Sequence, residues 1–199
     1  KVAAITSRQM KGKTLEEALA IGGTAGAIAF EDLATAEVAK RAEVFFLALP
    51  HGVAAAIGGE LRNLGKRVFD LSADFRLKSA ELYEKTYGAK HPEPKRLEEA
   101  VYGLPELNRV KIAKADLVAC PGCYPTSALL PLIPLIEAGQ IDADDIIIDA
   151  KSGVTGAGRA AKEASLFGEV SEGIHAYGVA GHRHGPEIEQ GLAQAAGRD

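Results

Sequence analysis

The stretch ACPGCYPTS, residues 119–127, joins two apolar segments of different character. Residues 116–118 before it form a short apolar run that predicts a strand, and residues 128–130 after it predict the first turns of a buried helix. The proline and glycine between them predict a tight turn, which places Cys123 at or just before the start of the helix. Unpaired N–H groups and the helix dipole stabilise a thiolate at such a position. The pattern therefore predicts a cysteine nucleophile.

Short patterns in the first half predict individual elements. Residues 2–6 predict a buried strand, Thr14 and Glu17 predict a capping box at the start of a helix, and residues 53–63 predict a helix that Gly65 ends.

Apolar strands alternate with helices along the first half of the chain. The apolar runs at 44–49 and 68–71 are each followed by a polar turn, with Pro50 and His51 after the first and Ser72 after the second. Such alternation predicts a parallel sheet with right-handed crossovers, whose ligands bind at the carboxyl ends of the strands. For His51 we favour a turn residue that caps the next helix over a catalytic residue.

The second half is predicted to contain a buried strand at 145–151, followed by a glycine-rich loop that opens a helix. Backbone N–H groups of such a loop can approach an anion closely, although a flexible connection has the same composition. The residues concerned are Ser152, Gly153, Gly156 and Gly158. We place the domain boundary so that residues 1–119 form one domain and residues 120–199 a second.

Composition excludes several classes of function. The net charge of −4 gives no electrostatic basis for binding nucleic acid or an anionic membrane. No apolar run approaches the ~20 residues that a membrane-spanning helix needs. Two cysteines three residues apart provide no disulfide framework, which favours a reducing compartment, and we expect a cytoplasmic location.

The two cysteines admit other interpretations. Cys120 continues an apolar strand and fits a small buried hydrophobic residue. Together with Cys123 it forms a CxxC pair, which could act in redox chemistry or bind zinc with the histidines of the sequence HRH at 182–184. Zinc sites more often pair CxxC with histidines at a wider spacing than HxH, and no zinc-ribbon pattern lies near these histidines, so we predict no bound metal.

Several motifs together give a specific resemblance. The sequence PGCYPT at 121–126 and an apolar helix after it resemble the active-site motif of the N-acetyl-gamma-glutamyl-phosphate reductase family, which is related to aspartate-semialdehyde dehydrogenase. Other segments resemble the same family in the same order, namely LALPHG at 47–52, LSADFR at 71–76, YGLPE at 102–106, SGVTGAGR at 152–159 and HRHGPE at 182–187.

The resemblance implies an α/β fold that starts with a Rossmann-like parallel sheet. An α+β catalytic domain of the semialdehyde-dehydrogenase type then follows. The family places a strand, a glycine-rich phosphate loop and a helix before Lys1, and further strands after Asp199. We therefore expect the chain to be a fragment of an enzyme that assembles as a homo-oligomer.

The implied reaction is the NADPH-dependent reduction of an acyl phosphate to a semialdehyde in arginine biosynthesis. Cys123 would form a thioester with loss of phosphate, and hydride transfer would then give the aldehyde. His182 is the first choice for general acid/base by its place in the motif. His184 is second, since a spacing of two on a strand or loop would put the pair on opposite sides. Arg159 and Arg183 are candidates for binding the substrate's carboxylate or phosphate, as is His184.

The cofactor is predicted from the end of the first strand. Ser7 and Arg8 occupy the place where an acidic residue would favour NAD and a basic residue favours the 2′-phosphate of NADP. A solvated basic loop explains this spacing equally well, and the resemblance favours NADP(H). The other candidates for binding the cofactor are Pro50, His51, Ser72 and the glycine-rich residues Ser152, Gly153, Gly156 and Gly158. A related reductase for aminoadipyl or aspartyl phosphate stays open, as does a non-catalytic fragment that binds a nucleotide or zinc.

Overall fold

Parallel strands followed by helices make up the first part of the chain, as the alternation of apolar runs predicts. The computed structural model describes residues 1–179 and 181–198, whose contacts divide into one unit, Lys1–Pro121, and a second unit that begins at Gly122. The strands are β1 (Ile5–Thr6), β2 (Phe30–Glu31), β3 (Val44–Leu47), β4 (Arg67–Asp70), β5 (Val101–Tyr102) and β6 (Leu117–Ala119). The helices of the first unit are α1 (Leu15–Leu19), α2 (Gly23–Gly26), α3 (Thr35–Ala39), α4 (Val53–Asn63), α5 (Ala80–Tyr87) and α6 (Pro105–Lys114), with a 3-10 turn at Pro94–Arg96.

Strands β3, β4, β6 and β5 form a parallel sheet in that order, and β1 pairs with β2 in a separate parallel ladder. Because all four strands of the larger sheet run the same way, their carboxyl ends meet at one edge. The turns that follow β3, β4 and β6 therefore lie at the edge where parallel sheets bind ligands.

The core of the first unit lies between α4 and this sheet. Ala54 and Leu61 of α4 are buried against Val68 of β4 and Leu117 of β6. Phe75, from the turn after β4, is 1% exposed and belongs to the same cluster. Truncation of a buried leucine such as Leu61 to alanine costs about 2–5 kcal/mol.

Near the N-terminus, the structure confirms one prediction and corrects another. Thr14 and Glu17 form a capping box at the start of α1, since each side chain binds the other's backbone N–H. The predicted buried strand at 2–6 is shorter than expected, because β1 contains only Ile5 and Thr6, neither of which is buried. Its pairing is confined to the two residues of β2.

Two long helices organise the second unit. Its helices are α7 (Cys123–Glu137), α8 (Phe167–Val170) and α9 (Gly185–Ala195), with 3-10 turns at Val154–Ala157 and Glu163–Ser165. α7 is continuous through Pro131 and Pro134. It packs against α9 so closely that a Cβ atom on Gly191 would lie 2.8 Å from the methyl groups of Leu129. Any side chain at position 191 would force Leu129 to move.

The predicted buried strand at 145–151 is wrong. These residues have no regular secondary structure, and Ile147 is 93% exposed. A strand needs a neighbour that completes its backbone hydrogen bonds, and among the described residues no segment is paired with this one. The glycine-rich segment after it opens a short 3-10 turn and not the predicted helix.

Candidate active site

Cys123 is the first residue of α7, and its side chain is exposed. Gly122 is the N-cap in an extended conformation, and its carbonyl accepts bonds from the N–H of Thr126 at 2.9 Å and from its hydroxyl at 2.8 Å. The helix itself cannot satisfy the N–H groups of Cys123 and Tyr124, because they belong to its first turn. The predicted position of the thiol at a helix start is thus confirmed, with backbone donors and the positive end of the dipole beside it.

The two histidines of the HRH sequence lie in the turn before α9. The ring centroids of His182 and His184 are 4.9 Å apart at an interplanar angle of 68°. The expectation that their spacing puts them on opposite sides is therefore wrong, because these residues form a turn and not a strand. His182 is half-buried and His184 is buried.

A backbone contact favours one tautomer of His182. The N–H of His184 donates to Nδ1 of His182 at 3.1 Å, so a neutral His182 carries its proton on Nε2. Burial, and then the positive charge of Arg183, lower the pKa of His182. These effects favour a neutral imidazole near pH 7 that can donate from Nε2.

Two tyrosines surround this histidine. The ring of Tyr124, next to the cysteine, stands perpendicular to His182 with centroids 5.2 Å apart. The Tyr177 ring lies 5.5 Å from His182, and its hydroxyl donates to that of Tyr124. This hydrogen bond raises the pKa of Tyr177 to about 12, so its phenol stays protonated at neutral pH. The structure therefore brings together the residue after Cys123, both histidines and Tyr177.

The predicted substrate arginines are exposed. Arg183 lies between the two histidines, and its charge acts on both His182 and Tyr177. Arg159 follows the glycine-rich segment in an exposed loop. Binding of substrate by either arginine stays a prediction.

The glycine-rich segment 152–159 is exposed throughout. The hydroxyl of Ser152 donates to the carbonyl of Gly153 at 3.0 Å, and a Cβ on Gly156 would lie 2.4 Å from that hydroxyl oxygen. Gly158 has a φ of 81°, which favours glycine. The segment is open to an anion, and its role in cofactor binding stays a prediction.

At the ligand edge of the first unit, the turns after β3 and β4 are joined by hydrogen bonds. Nδ1 of His51 accepts from the N–H of Ala73 at 3.2 Å. The buried carboxylate of Asp74 accepts from the N–H groups of Gly52 and Ala55 at 2.8 Å, and so caps α4. The expectation that His51 caps this helix is therefore wrong, because a residue from the neighbouring turn does so. Pro50, just before His51, is exposed.

Ser72 lies within a buried polar network. Its hydroxyl donates to Asp70 at 2.7 Å and accepts from the N–H of Asp74 at 3.1 Å. Burial raises the pKa of Asp70 to about 6, although the hydrogen bonds from Ser72 oppose the shift. Tyr83 donates to Asp74 at 2.8 Å. The Ser72 hydroxyl is thus used inside the fold, and its assignment to the cofactor stays a prediction.

Arg76 links the ends of β4 and β6. Its guanidinium, almost fully buried, donates to the carbonyls of Leu71 at 2.9 Å and Cys120 at 2.7 Å. Burial and then the negative charge of Asp70 raise the pKa of the Cys120 thiol. A raised pKa leaves little thiolate at neutral pH, which argues against Cys120 as a nucleophile.

Ser7 and Arg8 follow β1 directly. The backbone N–H of Ser7 donates to Glu31 of β2 at 2.9 Å, and the hydroxyl of Ser7 accepts from Met10. The side chain of Arg8 is 94% exposed, with its guanidinium 4.0 Å from Asp32. Arg8 is thus an exposed cation at the carboxyl end of a parallel strand, and its contact with the 2′-phosphate of NADP stays a prediction.

The sequence interpretation missed Glu187, although it quoted the residue as part of a motif. Glu187 is 1% exposed on α9 and accepts a hydrogen bond from the N–H of Gly122, the residue before Cys123, at 3.0 Å. An acidic residue in the first turn of a helix is ordinary, so the sequence carried no signal of this long-range contact.

Among the described residues, no helix is long and apolar enough to cross a membrane. Within the same ranges, no group of three or more His, Cys, Asp or Glu side chains is arranged to hold a metal ion.

Comparison with known families gives two matches that follow one another along the chain. Residues 1–115 match the family described as "Semialdehyde dehydrogenase, NAD binding domain". Residues 123–199 match "Semialdehyde dehydrogenase, dimerisation domain". A nicotinamide-binding domain followed by a second domain agrees with the predicted fold class.

Curated relatives of high identity carry one name, N-acetyl-gamma-glutamyl-phosphate reductase. A protein of Rhodospirillum rubrum is 64% identical over 157 residues, which cover 77% of this chain and 45% of the relative. One from Pseudomonas aeruginosa is 60% identical over 157 residues, or 79% of this chain and 46% of the relative. One from Ectopseudomonas mendocina is 54% identical over 201 residues, covering 100% of this chain and 58% of the relative. The chain thus spans about half the length of the curated relatives it matches.

Proposed function

Because this chain belongs to the semialdehyde dehydrogenase family, we propose that it acts as an N-acetyl-gamma-glutamyl-phosphate reductase in arginine biosynthesis. The names of its curated relatives support this substrate over aspartyl or aminoadipyl phosphate. The proposed reaction converts the 5-phosphate of N-acetylglutamate to the semialdehyde with NADPH as reductant.

The observation that carries the proposal is the position of Cys123. An exposed thiol at the first residue of a long helix has backbone N–H donors and the helix dipole beside it. Cys120, the other cysteine, is half-buried, and its pKa is raised. These environments support Cys123 over Cys120 as the nucleophile.

The chemistry then proceeds through the cysteine. The sulfur of Cys123 attacks the acyl carbon, the C–O bond to phosphate breaks, and phosphate leaves with its electron pair. The product is a thioester on Cys123. NADPH, when bound, supplies the hydride that reduces this thioester. The resulting thiohemiacetal breaks its C–S bond to give the aldehyde and returns the thiolate.

His182 moves the proton in this scheme. Its Nε2–H can donate to the oxygen that becomes negative when the acyl carbon is tetrahedral. Removal of the thiol proton requires another acceptor, because Nδ1 of His182 already accepts from the N–H of His184, and His184 is our candidate for that step. Arg183, which lies between the two histidines in sequence, is our candidate for binding the substrate's phosphate or carboxylate.

NADP(H) is the proposed form of the nicotinamide cofactor. The exposed Arg8 at the end of β1 supports it, since a guanidinium can bind a 2′-phosphate through two hydrogen bonds. The match to a dimerisation domain supports a homo-oligomer. A cytoplasmic location stays a prediction.

The test is the reverse reaction, in which purified protein oxidises N-acetylglutamate semialdehyde with NADP⁺ and phosphate. NADPH formation is followed by its absorbance, and the semialdehydes of aspartate and aminoadipate serve as competing substrates. We expect phosphate-dependent activity that is highest for the N-acetylglutamyl compound. A preference for another semialdehyde would replace the substrate, and no phosphate-dependent activity with any of them would remove the proposal.

Two serine variants test the nucleophile. Cys123→Ser should abolish the reaction, and the matched control Cys120→Ser should keep most of it. Alkylation with and without substrate provides an independent measurement. Substrate protection of Cys120 in place of Cys123 would show that the assignment is reversed.

A further inference from the structure

The carboxylate of Glu187 is buried, which is unfavourable for a charged group. It is 1% exposed, and burial of a carboxylate is unfavourable unless it receives hydrogen bonds. Its Oε1 accepts the N–H of Gly122 at 3.0 Å, and both residues lie in the second unit. The bond joins residues that are far apart in sequence, so it restrains the turn that contains Gly122.

What the contact holds is the residue before the proposed nucleophile. Gly122 is the N-cap of α7, with φ −68° and ψ 160°, and Cys123 follows it directly. The N-cap sets the direction in which the chain enters a helix, and thereby the direction of the first side chain. No side chain of the N-cap itself can do so here, because glycine has none.

The packing of α9 on α7 fixes the position of the Glu187 side chain. Glu187 lies in the first turn of α9, behind Pro186, and Gly191 further along α9 packs directly on Leu129 of α7. The carboxylate is therefore fixed relative to the body of α7. A bond from a fixed acceptor to Gly122 restrains the turn that carries Cys123.

We propose that Glu187 is a positioning residue, which holds the N–H of Gly122 so that the Cys123 thiol keeps its attacking geometry at the start of α7. The proposal deepens the proposed function and rests on it. Glu187 acts through Gly122 and not on the substrate, since its side chain is closed to solvent. The hydrogen-bond acceptor, more than the negative charge, is the feature that matters.

Three variants of Glu187 separate the acceptor from the charge. Glu187→Gln keeps an acceptor oxygen and loses the charge, so its kcat should stay within about threefold of wild type. Glu187→Leu removes the acceptor, and kcat should fall about 100-fold with little change in KM, as expected when a reacting group is misplaced. Glu189→Gln, on an exposed position of the same helix, is the matched control and should behave as wild type.

A second measurement requires no substrate. In a Cys120→Ser background, Cys123 is the only thiol of the chain, so its rate of alkylation by iodoacetamide can be followed directly across pH. We expect the Leu variant to lose alkylation rate and the Gln variant to keep it. If the enzyme reduces no acyl phosphate at all, the proposed function fails, yet this series still decides the role of Glu187.

Several outcomes would overturn the proposal. Wild-type kcat and alkylation in Glu187→Leu would show that the bond to Gly122 does not matter. An equal loss in the Gln and Leu variants would assign the effect to charge or packing. If the Leu variant does not fold, Glu187→Asp replaces it, because the shorter side chain withdraws the acceptor and keeps the charge. Full activity of the Asp variant would then refute positioning.

Discussion

The buried carboxyl group of Asp70 should make the stability of the protein depend measurably on pH. This group is fully buried at the end of β4, where burial raises its pKa from 3.8 to about 6. In the unfolded chain the pKa returns to its ordinary value. Between these two values the folded protein binds the proton that the unfolded chain has released. The stabilisation is complete below pH ~4 and is lost as the pH rises through about 6.

The size of the effect follows from the shift. Each pKa unit corresponds to about 1.4 kcal/mol, so the free energy of unfolding should decrease by about 3 kcal/mol across this window. Asp70→Asn removes the titrating group but keeps an oxygen that can accept from Ser72. The substitution adds a constant offset, which cancels when the change with pH is compared.

Urea denaturation of wild type and Asp70→Asn at intervals from pH 4 to pH 8 measures this difference. We expect the variant to gain stability relative to wild type by about 2.5 kcal/mol between the two ends, since the remainder of the effect lies below pH 4. Asp145→Asn removes an exposed carboxylate and provides the comparison for loss of a surface charge. Parallel curves for wild type and Asp70→Asn would refute the argument, because Asp70 would then titrate alike in both states.

Three further predictions concern single side chains. Tyr83→Phe leaves the buried carboxylate of Asp74 without one of its donors and should lower the free energy of unfolding by about 1.5–3 kcal/mol, measured by urea denaturation; an unchanged midpoint would contradict it. Arg8→Ala should weaken NADPH binding by about 1–3 kcal/mol more than NADH binding in calorimetric titrations, and equal losses would exclude contact with the 2′-phosphate. His182→Asn should lower kcat by ~10²–10⁴-fold while cofactor affinity is retained, whereas a larger loss for His184→Asn would transfer the role.

The sequence predicted correctly those features that depend on residues close together in the chain. The bounds of α4, predicted as 53–63 from its apolar pattern and Gly65, agree with the structure, and so does the start of α7 at Cys123. Thr14 and Glu17 likewise form the capping box that their spacing predicts. In each case the determining interactions lie within a few residues of one another.

The sequence-based predictions failed for features that depend on contacts with a distant segment of the chain. Asp74, from the next turn, caps α4 in place of His51, and Glu187 reaches Gly122 from another helix. Residues 145–151 have the apolar composition of a strand, yet composition cannot supply the neighbour that a strand needs. The spacing of His182 and His184 gave a wrong prediction, because these residues form a turn. A turn brings their side chains together, whereas a strand would separate them.

The prolines within α7 affect when this helix can form during synthesis of the chain. Pro131 and Pro134 each remove an N–H from the helix interior, at a cost of about 3 kcal/mol or more in an isolated helix. α7 therefore gains its stability from contact with α9, which the ribosome makes much later. On a nascent chain that ends before Gly185, Cys123 would be an ordinary thiol on an unformed helix. The helix start that carries Cys123 therefore depends on a segment that the ribosome adds much later.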